Sequence, residues 1–174
     1  AIGFSIRAGV LISQYFGASR EQELRQYAAT AIVLMLAMGL LMSLIEVGPQ
    51  VVAHPHSYDA VANFMLCAAM ALNGFTGMGV PQDWATHRIG YELTILFGLD
   101  HAETLAVIYP ALLRVLKEYK QEKLAQYATR VWNVTTGTTA EKAEIAIEKT
   151  ESFFRQMGLR TRMSEYNIPA EAVE

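Results

Sequence analysis

The sequence has few of the features that mark secreted, nucleic-acid-binding or disordered proteins. Cys67 is its only cysteine, so an internal disulfide is excluded, and its apolar neighbours predict a reduced, packed thiol. The chain has 14 basic and 17 acidic residues, so it has no surplus of positive charge to neutralise a phosphate backbone. With 52% hydrophobic and 18% charged residues, the 174-residue chain can bury a core. We therefore expect a folded domain in a reducing, cytoplasmic setting, without a nucleic-acid partner.

The sequence also lacks the pattern typical of β-strands. No segment shows the period-2 alternation of a half-buried β-strand, whereas several helix signals recur along the chain. The sequence therefore predicts an all-α domain, a helical bundle of about seven helices. We place them at 2–16, 19–47, 57–77, 82–95, one that begins at 100, 119–133 and 138–158.

Polar residues predict where three of these helices begin. The Ser57 hydroxyl is suited to cap the third helix, and Asp100 with Glu103 the fifth. Thr138 followed three residues later by Glu141 is a capping-box pattern for the seventh.

Glycine and proline predict where helices end or bend. Gly48 and Pro49 are expected to stop the second helix, and Gly77 and Gly79 the third. Pro110 lies inside the fifth predicted helix and is expected to kink or split it.

Residues 26–45 contain no charged side chain. A run of 20 uncharged, mostly apolar residues is long enough for a transmembrane helix, but a buried helix at the centre of a bundle shows the same pattern. The charged helices over 119–157 belong in water. We expect a buried core helix at 26–45 and keep a membrane span as the alternative.

Four histidines are the first candidates for site chemistry. His54 and His56 flank a proline between two predicted helices, which favours a solvated loop. His87 lies in the fourth predicted helix and His101 at the start of the fifth. Imidazoles on neighbouring helices are common ligands of divalent transition metals.

Helix geometry limits how His87 and His101 could share an ion. A helix unbroken to Gly98 would separate the two rings by roughly 16 Å at about 1.5 Å per residue. Shared ligation therefore requires the helix to end early and residues 95–100 to double back. Gly98 and Asp100 suit such a turn.

Two stretches carry a family resemblance. They are residues 73–87, NGFTGMGVPQDWATH, and residues 98–106, GLDHAETLA. With the rest of 46–169 they resemble the C-terminal helical domain of iron-containing alcohol dehydrogenases, in the butanol dehydrogenase and aldehyde reductase branch. That family places two metal-ligand histidines 14 residues apart, the spacing of His87 and His101.

The resemblance implies an oxidoreductase function. His87 and His101 would ligate Fe2+, or Zn2+, which polarises the oxygen of a small aldehyde or alcohol substrate while NAD(P)H exchanges hydride with it. Tyr91 and Trp84 would lie near substrate and cofactor. No catalytic residue and no cofactor-binding residue is assigned. Ser, His and Asp form no credible nucleophile set, so the sequence does not support nucleophilic hydrolysis.

The sequence also departs from the family pattern. The family's other two ligands, an Asp followed four residues later by a His, have no counterpart in residues 1–53. Tyr91 stands where the family often has another histidine, and no glycine-rich pyrophosphate turn follows a strand. We therefore expect the nucleotide-binding domain to be missing, and this chain alone to be catalytically silent.

The first 45 residues are an apolar helical segment of different appearance. Residues 1–44, with GVLISQYFGA at 9–18, resemble part of a multidrug and toxin extrusion transporter. We therefore distinguish 1–45 from the dehydrogenase-like 46–174, while allowing one packed domain over 1–174. Because the chain opens inside an apolar helix, we expect a piece of something longer. A membrane-transporter fragment and a non-catalytic helical module, including a self-associating homo-oligomer, stay open as alternatives.

Overall fold

The computed structural model describes residues 39–74 and 82–173. These ranges contain six α-helices, two 3-10 turns and no strand, which confirms the all-α prediction. The helices predicted at 2–16 and over most of 19–47, and the break at Gly77 and Gly79, lie outside the described residues. The α-helices are α1 (39–53), α2 (Tyr58–Leu72), α3 (Ala85–Phe97), α4 (His101–Val115), α5 (Gln121–Arg130) and α6 (Thr139–Gln156). The 3-10 turns span Met163–Tyr166 and Ala170–Val173.

The chain divides into two compact units, residues 1–82 and residues 83–174. The described part of the first unit is the helix pair α1 and α2. The expected stop at Gly48 and Pro49 is wrong, because α1 continues to residue 53. Proline removes only one backbone N–H from the helix, so the residues on either side of Pro49 continue α1.

The start of α2 also differs from its prediction. Ser57 occupies the N-cap position, but its hydroxyl makes no capping hydrogen bond. The backbone organises this turn instead: the Ser57 N–H donates to the His54 carbonyl at 3.0 Å, and the Val61 N–H donates to the Ser57 carbonyl at 3.0 Å. The predicted helix start is correct, whereas the predicted hydroxyl cap is wrong.

The second unit contains α3 to α6 and the 3-10 turns. Pro110 does not split α4, which is continuous from His101 to Val115. The Pro110 side chain is fully buried, so its packing offsets the missing backbone hydrogen bond. The predicted helix at 119–133 is shorter, and α5 spans Gln121–Arg130.

Two apolar clusters form the core of this second unit. One joins Leu93 of α3 and Val107 of α4 to Leu99 and to Ile168 in the C-terminal segment. The other joins residues of α4, α5 and α6, and its members are Leu113, Leu124, Ala143 and Ile147. The first cluster lies beneath the connection between α3 and α4, so it supports the geometry of that connection.

Thr138 and Glu141 form the capping box that the sequence predicts. The Glu141 N–H donates to the Thr138 hydroxyl at 3.3 Å, and the Thr138 N–H donates to the Glu141 carboxylate at 2.7 Å. These bonds satisfy backbone donors that have no partner within the helix.

Loss of this cap should destabilise the second unit. Thr138→Ala is expected to lower the free energy of unfolding by about 1 kcal/mol, the usual effect of removing a threonine cap. Urea denaturation followed by circular dichroism measures the change. Thr136→Ala, an exposed position in the same connection, is the matched control; an equal loss in both variants would contradict the capping role.

The Glu151 carboxylate ties the C-terminal segment to the helices. Glu151 lies on α6 and is only 7% exposed. It pairs with Arg114 of α4, accepts a hydrogen bond from the Thr161 hydroxyl at 2.9 Å, and lies 3.1 Å from the Arg162 guanidinium. Burial alone would raise the pKa of Glu151, but the bonds from Arg114 and Thr161 hold that pKa below its usual value of 4.5.

This network predicts a dependence of stability on acid. Because the folded-state pKa of Glu151 is lowered, its contribution is present above pH 4.5 and is lost as pH falls through the folded-state value. Glu151→Gln is expected to reduce the free energy of unfolding at pH 7 by about 2 kcal/mol. The variant should also lose less stability than the parent between pH 5 and about pH 3. Glu148→Gln, exposed on the same helix, should change neither quantity in urea denaturation.

Candidate metal site

His87 and His101 lie side by side in the second unit. His87 is in the first turn of α3 and His101 is the first residue of α4. Their ring centroids are 5.4 Å apart, with the ring planes inclined by 51°. Trp84, which directly precedes α3, meets the His87 ring edge-on at 5.1 Å. The structure therefore brings together the two histidines that the sequence singles out.

The connection between α3 and α4 explains how these rings meet. The expectation that the helix ends early is wrong, since α3 runs to Phe97. The predicted doubling back does occur. Gly98 is left-handed, with φ of 69°, and Asp100 is extended, so residues 98–100 return alongside α3 before α4 begins. The 5.4 Å separation of the two ring centroids shows that this return offsets most of the rise along α3.

A glycine allows α3 and α4 to approach closely. A Cβ atom placed on Gly90 would lie 3.0 Å from the Thr104 hydroxyl oxygen and 3.3 Å from the Thr104 Cβ. The Thr104 hydroxyl donates to the His101 carbonyl at 2.8 Å, so the same residue contacts both Gly90 and the first turn of α4. Sequence reasoning did not identify this contact. The available signal was a glycine inside an otherwise regular helical pattern.

The separation of the two rings fits a shared ion. In a tetrahedral site with metal–nitrogen distances of about 2.0–2.1 Å, two imidazole centroids lie about 5.2 Å apart. The observed 5.4 Å is close to that value. His87 is half-buried and His101 is exposed, so one ring is held by its surroundings and the other is accessible.

The pair supplies only part of a complete coordination shell. Within residues 39–74 and 82–173, no third His, Cys, Asp or Glu side chain joins His87 and His101 in a group that could hold an ion. Structural and catalytic zinc sites have three or four protein ligands. The described residues therefore supply two of the three or four ligands that such a site would need.

The other predicted site residues, Trp84 and Tyr91, are exposed. Tyr91 is 62% exposed and lies one turn after His87 on α3, and Trp84 is 49% exposed. His54 and His56 are exposed in the turn between α1 and α2, which agrees with the predicted solvated loop. Trp84 thus contacts the candidate site directly, whereas Tyr91 presents its ring outward from α3.

The described structure defines a class of protein: an all-α domain whose candidate site is a histidine pair on two consecutive helices. Residues 21–174 match the family model described as Fe-containing alcohol dehydrogenase family, C-terminal. The chain belongs to the iron-containing alcohol dehydrogenase family. The match begins inside the segment that resembles a transporter, so residues 21–44 are covered by the dehydrogenase family model.

Curated relatives support the same assignment. The NADPH-dependent aldehyde reductase YqhD of Escherichia coli is 49% identical over 137 residues, which cover 79% of this chain and 35% of the relative. The NADP-dependent alcohol dehydrogenase 3 of Entamoeba histolytica is 33% identical over 88% of this chain and 39% of the relative. The chain therefore spans little more than a third of the length of these relatives.

Solved structures show the same fold. A substrate- and cofactor-free form of the E. coli aldehyde reductase YqhD is 47% identical and has a TM-score of 0.79, covering 82% of this chain and 37% of that one. The NADH-dependent butanol dehydrogenase A of Thermotoga maritima has a TM-score of 0.77 over 82% of this chain and 36% of that one. At 24% identity, this second likeness shows the fold alone.

The membrane alternative gains no support from the described helices. None of them combines the length and the apolar character that crossing a bilayer requires. Most of the apolar run at 26–45 lies outside the described residues. The boundary between 45 and 46 stays a prediction.

Proposed function

We propose that this chain is the metal-binding helical part of an alcohol dehydrogenase or aldehyde reductase. The reaction would exchange hydride between NAD(P)H and a small aldehyde or alcohol. The observation that carries the proposal is the pairing of His87 and His101 at 5.4 Å within a fold of the iron-containing family.

In this proposal His87 and His101 hold a divalent ion, Fe2+ or Zn2+. Such an ion supplies Lewis-acid polarisation of the aldehyde or alcohol oxygen. Two neutral imidazoles leave coordination positions for further ligands and for the substrate oxygen. The relatives are longer than the segment that matches this chain, and the nicotinamide cofactor would bind mainly through that additional part of the protein.

Trp84 and Tyr91 would shape the substrate side of the site. Trp84 contacts the His87 ring at 5.1 Å, so its indole both orients that imidazole and offers an apolar wall to a short alkyl chain. The Tyr91 phenol can donate a hydrogen bond, so it would help to position a ligand.

A chimaera tests this function directly. Residues 46–174 would replace the matching segment of the E. coli aldehyde reductase, which keeps its own remaining residues, and NADPH-dependent reduction of butyraldehyde would be followed by absorbance. We expect the chimaera to turn over and His87→Ala to reduce kcat/KM by at least about 100-fold, since metal ligation is lost. His54→Ala is the matched control and should have no effect.

Two results would contradict the proposal. One is a folded chimaera that binds NADPH but does not reduce the aldehyde. The other is a chimaera whose turnover is the same with and without the His87 imidazole. The isolated 174-residue chain should show no turnover in the same assay.

A further inference from the structure

A cavity lies in the second unit, and the histidine pair does not line it. It has a volume of about 330 Å3 and opens between α4 and α5, next to the start of α3. The volume falls at the lower end of the range for small-molecule pockets. Nothing in the proposed dehydrogenase function uses this space.

The wall of the cavity is largely apolar. Leu113 and Leu124 are 6% and 5% exposed and are fixed within the second core cluster. Leu112 and the rings of Tyr109 and Tyr127 complete this surface. A wall of this kind favours an aliphatic or aromatic body, because each buried methylene group stabilises binding.

The two tyrosine hydroxyls in the wall differ in their hydrogen bonding to the described residues. The Tyr127 hydroxyl is bonded to the Thr150 hydroxyl at 3.0 Å. The Tyr109 hydroxyl makes no hydrogen bond to the described residues, and it is not a fully enclosed polar atom. Burial raises the pKa of Tyr109 to about 12, so its hydroxyl stays protonated and can donate to a ligand at neutral pH.

The charges at the rim favour an anion. Lys120 is neutralised by the Asp83 carboxylate at 2.7 Å, and Asp83 also accepts a hydrogen bond from the Ala85 N–H at 3.0 Å. Lys123 lines the same cavity, and no carboxylate of the described residues forms an ion pair with it. The lining therefore carries one ammonium group that lacks a counterion.

We propose that this cavity binds a small amphipathic monocarboxylate. The apolar body lies against Leu113, Leu124 and the tyrosine rings, and the carboxylate accepts from the Lys123 ammonium and the Tyr109 hydroxyl. An ammonium on a flexible stem selects charge rather than planar geometry, so the site should accept different bodies that share one carboxylate. A small aliphatic body suits the space, since the cavity is at the lower end of the volume range for small-molecule pockets.

Calorimetric titration of the full chain with octanoate tests this site. Octanol lacks the carboxylate, and acetate lacks the apolar body. Each of these two probes should bind at least about tenfold more weakly than octanoate. Lys123→Gln should weaken octanoate binding by about tenfold or more, and Tyr109→Phe by a smaller factor. Lys149→Gln, exposed on α6 and charge-matched, should leave octanoate affinity unchanged.

The test separates this site from the metal site. His87→Ala should bind octanoate as tightly as the parent chain, so failure of the metal proposal leaves this one intact. Equal affinities for octanoate and octanol, or unchanged octanoate affinity in Lys123→Gln, would overturn the proposal. So would equal losses in Lys123→Gln and Lys149→Gln, since net charge rather than the cavity would then explain binding.

Discussion

Replacing either His87 or His101 by alanine should remove the divalent-ion site of this chain. Zn2+ binding by the parent chain is expected to be weak, because the described residues supply two donors where zinc sites have three or four protein ligands. Each substitution removes half of those donors. The affinity should therefore fall by at least about 100-fold, more than the 10–100-fold effect typical of outer-shell partners. Competition with a coloured chelator measures it.

Two other histidines provide the control for this result. His54 and His56 are exposed in the turn between α1 and α2. Alanine at either position should leave Zn2+ affinity unchanged. If His87→Ala and His54→Ala reduce the affinity equally, the bound ion does not depend on the 5.4 Å pair, and the site assignment fails.

Gly90→Ala should lower both the stability of the second unit and its metal affinity. The added methyl group would lie 3.0 Å from the Thr104 hydroxyl oxygen, so the Thr104 side chain or the α3–α4 contact must shift by a few tenths of an ångström. Overpacking of this kind costs about 1–3 kcal/mol, whereas alanine gains up to about 1 kcal/mol over glycine in a helix interior. The net result is a loss of about 1 kcal/mol in urea denaturation, with weaker Zn2+ binding because the rings separate.

A double-mutant cycle identifies the contact responsible. Thr104→Ala removes the hydroxyl oxygen that the new methyl group would meet, although its Cβ remains at 3.3 Å. The Gly90→Ala, Thr104→Ala pair should therefore lose less stability than the sum of the two single variants. Strict additivity would show that Gly90 acts independently of Thr104.

Local sequence signals predict much of the second unit. Thr138 with Glu141 marks the start of α6, and these side chains can form their bonds wherever the rest of the chain lies. The turn at Gly98 follows equally from local chemistry, since glycine accepts the left-handed conformation that ends α3. The resemblance carried by residues 73–87 and 98–106 then identified the family that the comparisons confirm.

Tertiary packing decides what the sequence alone does not. The rule that proline breaks a helix considers the helix alone. In this fold the Pro110 ring is buried, and its packing allows α4 to stay continuous. The approach of Gly90 to Thr104 depends on where two helices cross, so spacing along the chain could not predict it. The distance argument for His87 and His101 identified the need for a return of the chain over 95–100, and the structure begins that return after Phe97, where α3 ends.

A zinc-soaked crystal of the chain gives the most direct test of the central claim. The anomalous difference map at the zinc edge should show one ion within about 2.0–2.1 Å of an imidazole nitrogen of both His87 and His101. An ion bound to only one of these rings, or a zinc peak at His54 and His56 with none between α3 and α4, would contradict the assignment of this pair as a shared metal site.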